Sequence, residues 1–136
     1  MSRALLVEDN SLFSESFKHS LLHQFPDLEI AVATNETTAR NLIEIFSPDL
    51  IFLDVHLTDG SCLDLTREVK LSSTNAIIVM LANYDIQEYK TMAHNNGADF
   101  FLSKERPLKD IINFIAEIIV LSLLRPKLIA KTIFLQ

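Results

Sequence analysis

Five short apolar runs, at residues 4–7, 28–33, 50–54, 76–81 and 99–102, alternate with longer segments of helical period. Strands of four to six residues separated by helices are the pattern of βαβ units, so the chain is expected to be α/β with a parallel sheet. Ala39, Leu42, Ile43 and Phe46 recur at i, i+3, i+4 and i+7, a one-faced helix that ends before Pro48. Phe13, Phe17 and Leu21 stack in the same way on an earlier helix. Asp85 followed by Glu88 reads as a capping-box start for a later one, and Asn96-Gly97 as its stop, with Gly97 in the left-handed C-terminal position.

At 136 residues, 49% apolar and 22% charged, the chain fits one globular domain with a packed core. Its formal charge of −6 argues against sequence-independent nucleic-acid binding. The single cysteine, Cys62, excludes an internal disulfide and reads as a small semi-buried hydrophobe. No secretory signal is visible, and the greasiest window, residues 111–124, contains Asn113, Glu117 and Ser122 and is too short to span a bilayer. A cytoplasmic location without membrane attachment is expected. In that last helix Ile111, Phe114, Ile115 and Ile118 form one apolar face, while Ile112, Ile119 and Leu123 form another. The second is open to cover by the chain's own tail or by a homodimer partner. Arg125-Pro126 is expected to break the helix, dividing the chain into a domain at 1–122 and a tail or linker stub at 123–136.

Two of the apolar runs deliver acids at the same end: the first leads into Glu8-Asp9, the third ends in Asp54. On parallel strands these three carboxylates converge where an open α/β sheet holds its ligands. Like charges that close call for a compensating cation, and magnesium suits oxygen ligands, bound directly by Asp9 and directly or through water by Glu8. A carboxylate beside such a cation attacks phosphorus usefully, which makes Asp54 the candidate nucleophile. Lys104 follows the last run and reaches the same edge, where its ammonium can offset charge on a phosphoryl group. His19 and His23 stand one helical turn apart with no third metal ligand evident, and His94 reads as a surface residue near a helix end.

The segments Leu6-Val7-Glu8-Asp9-Asn10, Leu53-Asp54-Val55-His56-Leu57-Thr58-Asp59-Gly60 and Gly97-Ala98-Asp99-Phe100-Phe101-Leu102-Ser103-Lys104 together resemble the receiver domain of bacterial two-component response regulators. The resemblance runs from about residue 3 to about residue 120. It implies a doubly wound five-stranded parallel sheet of flavodoxin-like order 2-1-3-4-5, with helices on both faces. It further implies phosphorylation of Asp54 by a histidine kinase or histidine phosphotransfer protein, with Mg²⁺ held by Glu8, Asp9, Asp54 and the backbone carbonyl of His56. Lys104 matches the phosphate-pairing lysine, and the His56 side chain is expected on the solvent-exposed approach to the phosphoryl group. Turnover beyond Mg-dependent self-phosphorylation and autodephosphorylation is not implied.

Three positions depart from the family pattern. Ala82 stands where such receivers carry a hydroxyl that draws toward the phosphoryl group while an aromatic, here Phe101, turns inward. Thr58 and Glu105 stand where proline is common. Neither of these two touches the proposed chemistry, but Ala82 leaves an alternative reading, a receiver-like interaction module with weakened or lost phospho-switching that acts by dimerisation or docking. An aspartate-nucleophile phosphatase is disfavoured because Asp54-Val55-His56 lacks a second acid two residues on. A nucleotide-binding domain is weaker still, since Gly60 and Gly97 are the only glycines.

Overall fold

The computed structural model describes residues 3–57, 62–72 and 75–124. Thr58, and the tail beyond Leu124, lie outside the described residues. The elements in chain order are β1 (Arg3–Val7), α1 (Ser11–Gln24), β2 (Glu29–Ala33), α2 (Glu36–Phe46), β3 (Leu50–Asp54), α3 (Cys62–Leu71), β4 (Ile77–Ala82), α4 (Gln87–Asn95), β5 (Phe100–Ser103) and α5 (Leu108–Leu124). All four strand pairings are parallel, and the order across the sheet is β2-β1-β3-β4-β5.

The central strands read as continuous apolar runs because they are covered on both faces. Alternate side chains divide between two cores. Ala4, Leu6, Leu50, Phe52, Val79 and Leu81 pack with Phe17 and Leu21 of α1 and with Ile111, Ile115 and Ile118 of α5. Leu5, Val7, Ile51, Leu53, Ile78 and Met80 pack on the opposite face with Ala39 of α2, Leu65 and Val69 of α3, and Ala93 of α4. This period-two division continues past the strand ends and decides where the polar residues there point.

The helix boundaries follow local chemistry. Asn10 caps α1, its Oδ1 accepting from the Phe13 N–H at 3.1 Å, and Asn35 caps α2 by accepting from Thr38 at 2.8 Å. α2 stops at Ser47, which takes a left-handed conformation (φ 49°) just ahead of Pro48. Gly97 has φ 93° and ends α4 as expected. The start of α4 differs from expectation: the N-cap is Ile86, without a side-chain bond, and Asp85 instead pairs with Lys90 at 2.9 Å. The lysine one turn into the helix is a charged partner for that carboxylate, whereas the cap position offers only backbone N–H groups.

The second stripe of α5 is also corrected. Ile112 and Ile119 are buried in the same core as Ile111 and Ile118, so they are not a surface left for a second copy. The helix is packed against both the sheet and α1, which widens its buried arc beyond one face. α5 extends to Leu124, the last described residue.

Candidate functional site

In register, Val7 of β1 lies beside Leu53 of β3, Asp54 beside Leu81 of β4, and Ala82 beside Ser103 of β5. Glu8, Asp54 and Lys104 therefore emerge together at the C-terminal edge of the sheet. Glu8 follows the parity of Ala4 and Leu6, Asp54 that of Leu50 and Phe52, and Lys104 that of Phe100 and Leu102. All three continue the face covered by α1 and α5.

Glu8 and Asp54 are 1% and 2% exposed, and the Lys104 side chain only 12%. The Lys104 ammonium donates to Glu8 Oε1 in a short ion pair and to Asp54 Oδ2 at 3.1 Å. Backbone groups hold the remaining carboxylate oxygens: Asn10 N–H donates to Glu8 Oε2 and His56 N–H to Asp54 Oδ1, each at 3.0 Å. The lysine is presented by a turn in which its own N–H donates to the Ala82 carbonyl at 2.7 Å. The next N–H, of Glu105, donates to Ser103 Oγ at 3.1 Å, a bond that proline at this position could not make.

Burial pushes the Glu8 carboxyl up from 4.5 to about 7, outweighing the Lys104 ammonium that opposes it, and the neighbouring Asp54 adds to the rise. Two buried carboxylates share one ammonium, and the exposed Asp9 adds a third acid beside them. Ligand oxygens of Glu8, Asp9 and Asp54 all lie within 4.8 Å of one another. An all-oxygen donor set with excess negative charge fits a hard divalent cation.

Ala82 is fully buried at the tip of β4 and supplies no side-chain donor. Phe101 is half-buried on the opposite face of the sheet from Lys104, packed against the α2–α4 core. The expectation for His56 is corrected. Its ring is half-buried and packs edge-on against Tyr89 (5.1 Å between centroids) and Tyr84 (6.5 Å), and its Nε2 is buried without a hydrogen-bond partner among the described residues. His19, His23 and His94 are exposed and take no part in this cluster. Phe13, which reads from the sequence only as a core residue of α1, lies under the Lys104 ammonium with its ring centroid 4.5 Å from Nζ. It stands three residues after the capping Asn10, at the end of α1 nearest the strand tips.

A five-stranded parallel sheet of order 2-1-3-4-5, with acids and a lysine gathered at its C-terminal edge, defines a class: the receivers of two-component signalling. Residues 4–116 match the family described as the response regulator receiver domain, and the chain belongs to that family. It is 32% identical over 106 residues to the KDP operon transcriptional regulatory protein KdpE of Escherichia coli, covering 76% of this chain and 45% of KdpE. It is 24% identical over 120 residues to the chemotaxis protein CheY of Halobacterium salinarum, covering 88% of this chain and 98% of CheY. The chain thus spans nearly all of one relative and under half of the other. Among solved structures it is similar to a Burkholderia pseudomallei response regulator with a phosphorylated aspartic acid, calcium ion and citrate. There the TM-score is 0.72 and the identity 24%, with 82% of this chain and 65% of that chain covered. No helix among the described residues is long and apolar enough to cross a membrane.

Proposed function

We propose that this receiver accepts a phosphoryl group on Asp54 from a phosphohistidine of a histidine kinase or phosphotransfer protein, in the cytoplasm and with Mg²⁺ as cofactor. The observation that carries the reading is the convergence of Glu8, Asp54 and Lys104 at one edge of the sheet, with the Lys104 ammonium 3.1 Å from the proposed nucleophile. In the transfer, a bond forms between an Asp54 oxygen and phosphorus as the bond from phosphorus to the donor imidazole breaks. Glu8, Asp9, Asp54 and the His56 carbonyl would hold the Mg²⁺, which when bound supplies positive charge to the phosphoryl oxygens. Lys104 is suited to pair with a phosphoryl oxygen, and burial of the site strengthens that attraction. The His56 N–H restrains Asp54 in its present orientation. The phosphorylated aspartic acid in the Burkholderia relative supports the same chemistry.

The product is a labile acyl phosphate, which suits a transient signal. No activity beyond Mg-dependent self-phosphorylation and autodephosphorylation is assigned. The acidic balance of the chain supports a domain that does not itself bind nucleic acid. We take residues 1–122 as the receiver and 123–136 as a linker or tail, and assign Ile112 and Ile119 to the core rather than to a homodimer interface. The reading of an interaction module with weakened or lost phospho-switching, acting only by dimerisation or docking, is disfavoured because the acids and the lysine are present together.

Incubation with acetyl phosphate and magnesium, followed by intact-mass measurement of wild type and Asp54→Asn, tests the proposal. A phosphoryl adduct in wild type alone is expected. Absence of an adduct in wild type, or an equal adduct in the variant, would refute it.

A further inference from the structure

We propose that Phe13 is a positioning residue that holds the Lys104 ammonium over the site by a cation–π contact, and that it does so whether or not the carboxylates are otherwise engaged. The inference rests on the proposed role of Asp54 and Lys104 in phosphoryl acceptance.

Three groups hold the ammonium: Glu8 from β1, Asp54 from β3, and the face of the Phe13 ring from α1. The first two are also the groups a divalent cation and a phosphoryl group would occupy, so each competes with Lys104 for the same oxygens. The ring is different. It offers a negative quadrupole with no lone pair suited to a hard metal ion and no site for a phosphoryl group, so its attraction for the ammonium survives when the carboxylates are taken. That attraction counts most where water is excluded, and the Lys104 side chain is only 12% exposed.

The ring is also built to stay in place. Asn10 Oδ1 accepts from the Phe13 N–H and fixes the first turn of α1. The Phe13 ring packs on Phe17 at 5.6 Å, and Phe17 meets Phe52 edge-on at 4.9 Å, with both of these fully buried. Phe52 lies two residues before Asp54 on the same face of β3. A single aromatic ladder therefore runs from the strand bearing the proposed nucleophile, through α1, to the lysine that serves it. A branched aliphatic at position 13 would preserve much of the packing and none of the quadrupole.

The test is a double-mutant cycle on the rate of phosphoryl uptake from acetyl phosphate with magnesium, read by intact mass, using Phe13→Leu, Phe13→Tyr, Lys104→Gln and the Phe13→Leu/Lys104→Gln pair. Phe13→Leu is expected to slow uptake about two- to thirtyfold, the range spanned by exposed and desolvated cation–π contacts. Phe13→Tyr, which retains an aromatic face, should stay near the wild-type rate. In the Lys104→Gln background, Phe13→Leu should have no further effect, because the group it acts through is gone. A metal-free readout accompanies the kinetics: the ring-current shift of the Lys104 ε-methylene protons should be present in wild type and Phe13→Tyr and lost in Phe13→Leu. An unchanged rate in Phe13→Leu, or an equal slowing in both lysine backgrounds, overturns the positioning role while leaving phosphoryl acceptance standing. Absence of any adduct in wild type overturns the acceptance itself and this role with it.

Discussion

Glu8 carries the site's pH dependence. Burial holds its carboxyl at about 7 in the folded chain against an ordinary value of 4.5, so the folded state binds this proton more tightly than the unfolded one. The stability gained from that proton is fully present below the unfolded value and is lost as pH rises through about 7. Metal binding runs in the opposite sense, because a divalent cation needs the ionised carboxylate and must displace the proton below that value. Calorimetric titration with magnesium should therefore show affinity that climbs by up to about tenfold per pH unit below neutrality and levels off above it. In Glu8→Gln the climb should vanish, and an unchanged profile there would assign the dependence to another group. Cys62 makes a contrasting case. Burial, with Asp54 and Glu36 adding negative charge nearby, pushes its thiol up to about 12, so almost no thiolate exists at neutral pH. Labelling of the native protein by a thiol reagent should track unfolding, with modification slow until denaturant is added. Rapid stoichiometric labelling without denaturant would contradict the buried placement. Among these residues the acids and Lys104 were legible in the sequence because each terminates a recognisable strand. Phe13 and the His56–Tyr89 packing were not, because which ring meets which side chain is set by how α1 and α4 dock on the sheet.

At the scale of elements, the sequence located all five strands to within a residue or so, since a parallel sheet covered on both faces leaves uninterrupted apolar runs between helices. The α4 start was misplaced because a capping pattern competes with side-chain pairing, and Asp85 found Lys90. The α5 stripe was misread because a helix wedged between a sheet and a neighbouring helix buries more than one face. Gly97, by contrast, was read correctly, and its role is testable. A φ of 93° is unfavourable for any residue with a Cβ, and an added Cβ would come to 3.1 Å from Lys70 Cγ. Lys70 is not free to retreat: its ammonium donates to Asp99 Oδ2 at 2.5 Å and to the Ala76 carbonyl at 3.1 Å. Asp99 in turn accepts from the Ile78 N–H, so this cluster ties α3 to the start of β4 and the entry to β5. Gly97→Ala should cost about 1 to 3 kcal/mol from the backbone strain, plus whatever the lysine must yield. A urea unfolding midpoint equal to that of wild type would show that the turn can relax.

For the molecule as a whole, the proposed function requires that phosphorylation at the sheet edge alter a distant surface, and we propose that Ala82 weakens that coupling. The tip of β4 is bracketed by the two functional strands: Val55 N–H donates to the Leu81 carbonyl and Lys104 N–H to the Ala82 carbonyl. A hydroxyl at position 82 would add a side-chain donor that favours the phosphorylated arrangement, and alanine supplies none. One hydrogen bond to a charged group is worth about 1.5 to 3 kcal/mol, comparable to the whole bias of a modest two-state switch. The wild-type chain should therefore bind a phosphoryl mimic such as beryllofluoride while changing shape only slightly, with Phe101 staying half-buried. Ala82→Ser and Ala82→Thr should bind the mimic about tenfold or more tightly. They should also enlarge the mimic-induced change in hydrogen exchange across α4 and β5. Serine is the cleaner probe, because Ala82 is fully buried and the methyl of threonine adds volume to a packed position. Because a ligand shifts a conformational equilibrium only by its differential affinity for the two states, tighter binding and larger change must appear together if the hydroxyl is the missing link. Tighter binding alone would mean that the hydroxyl contacts the mimic without coupling to shape, and equal affinity with equal exchange would mean that the backbone at the tip of β4 already carries the switch.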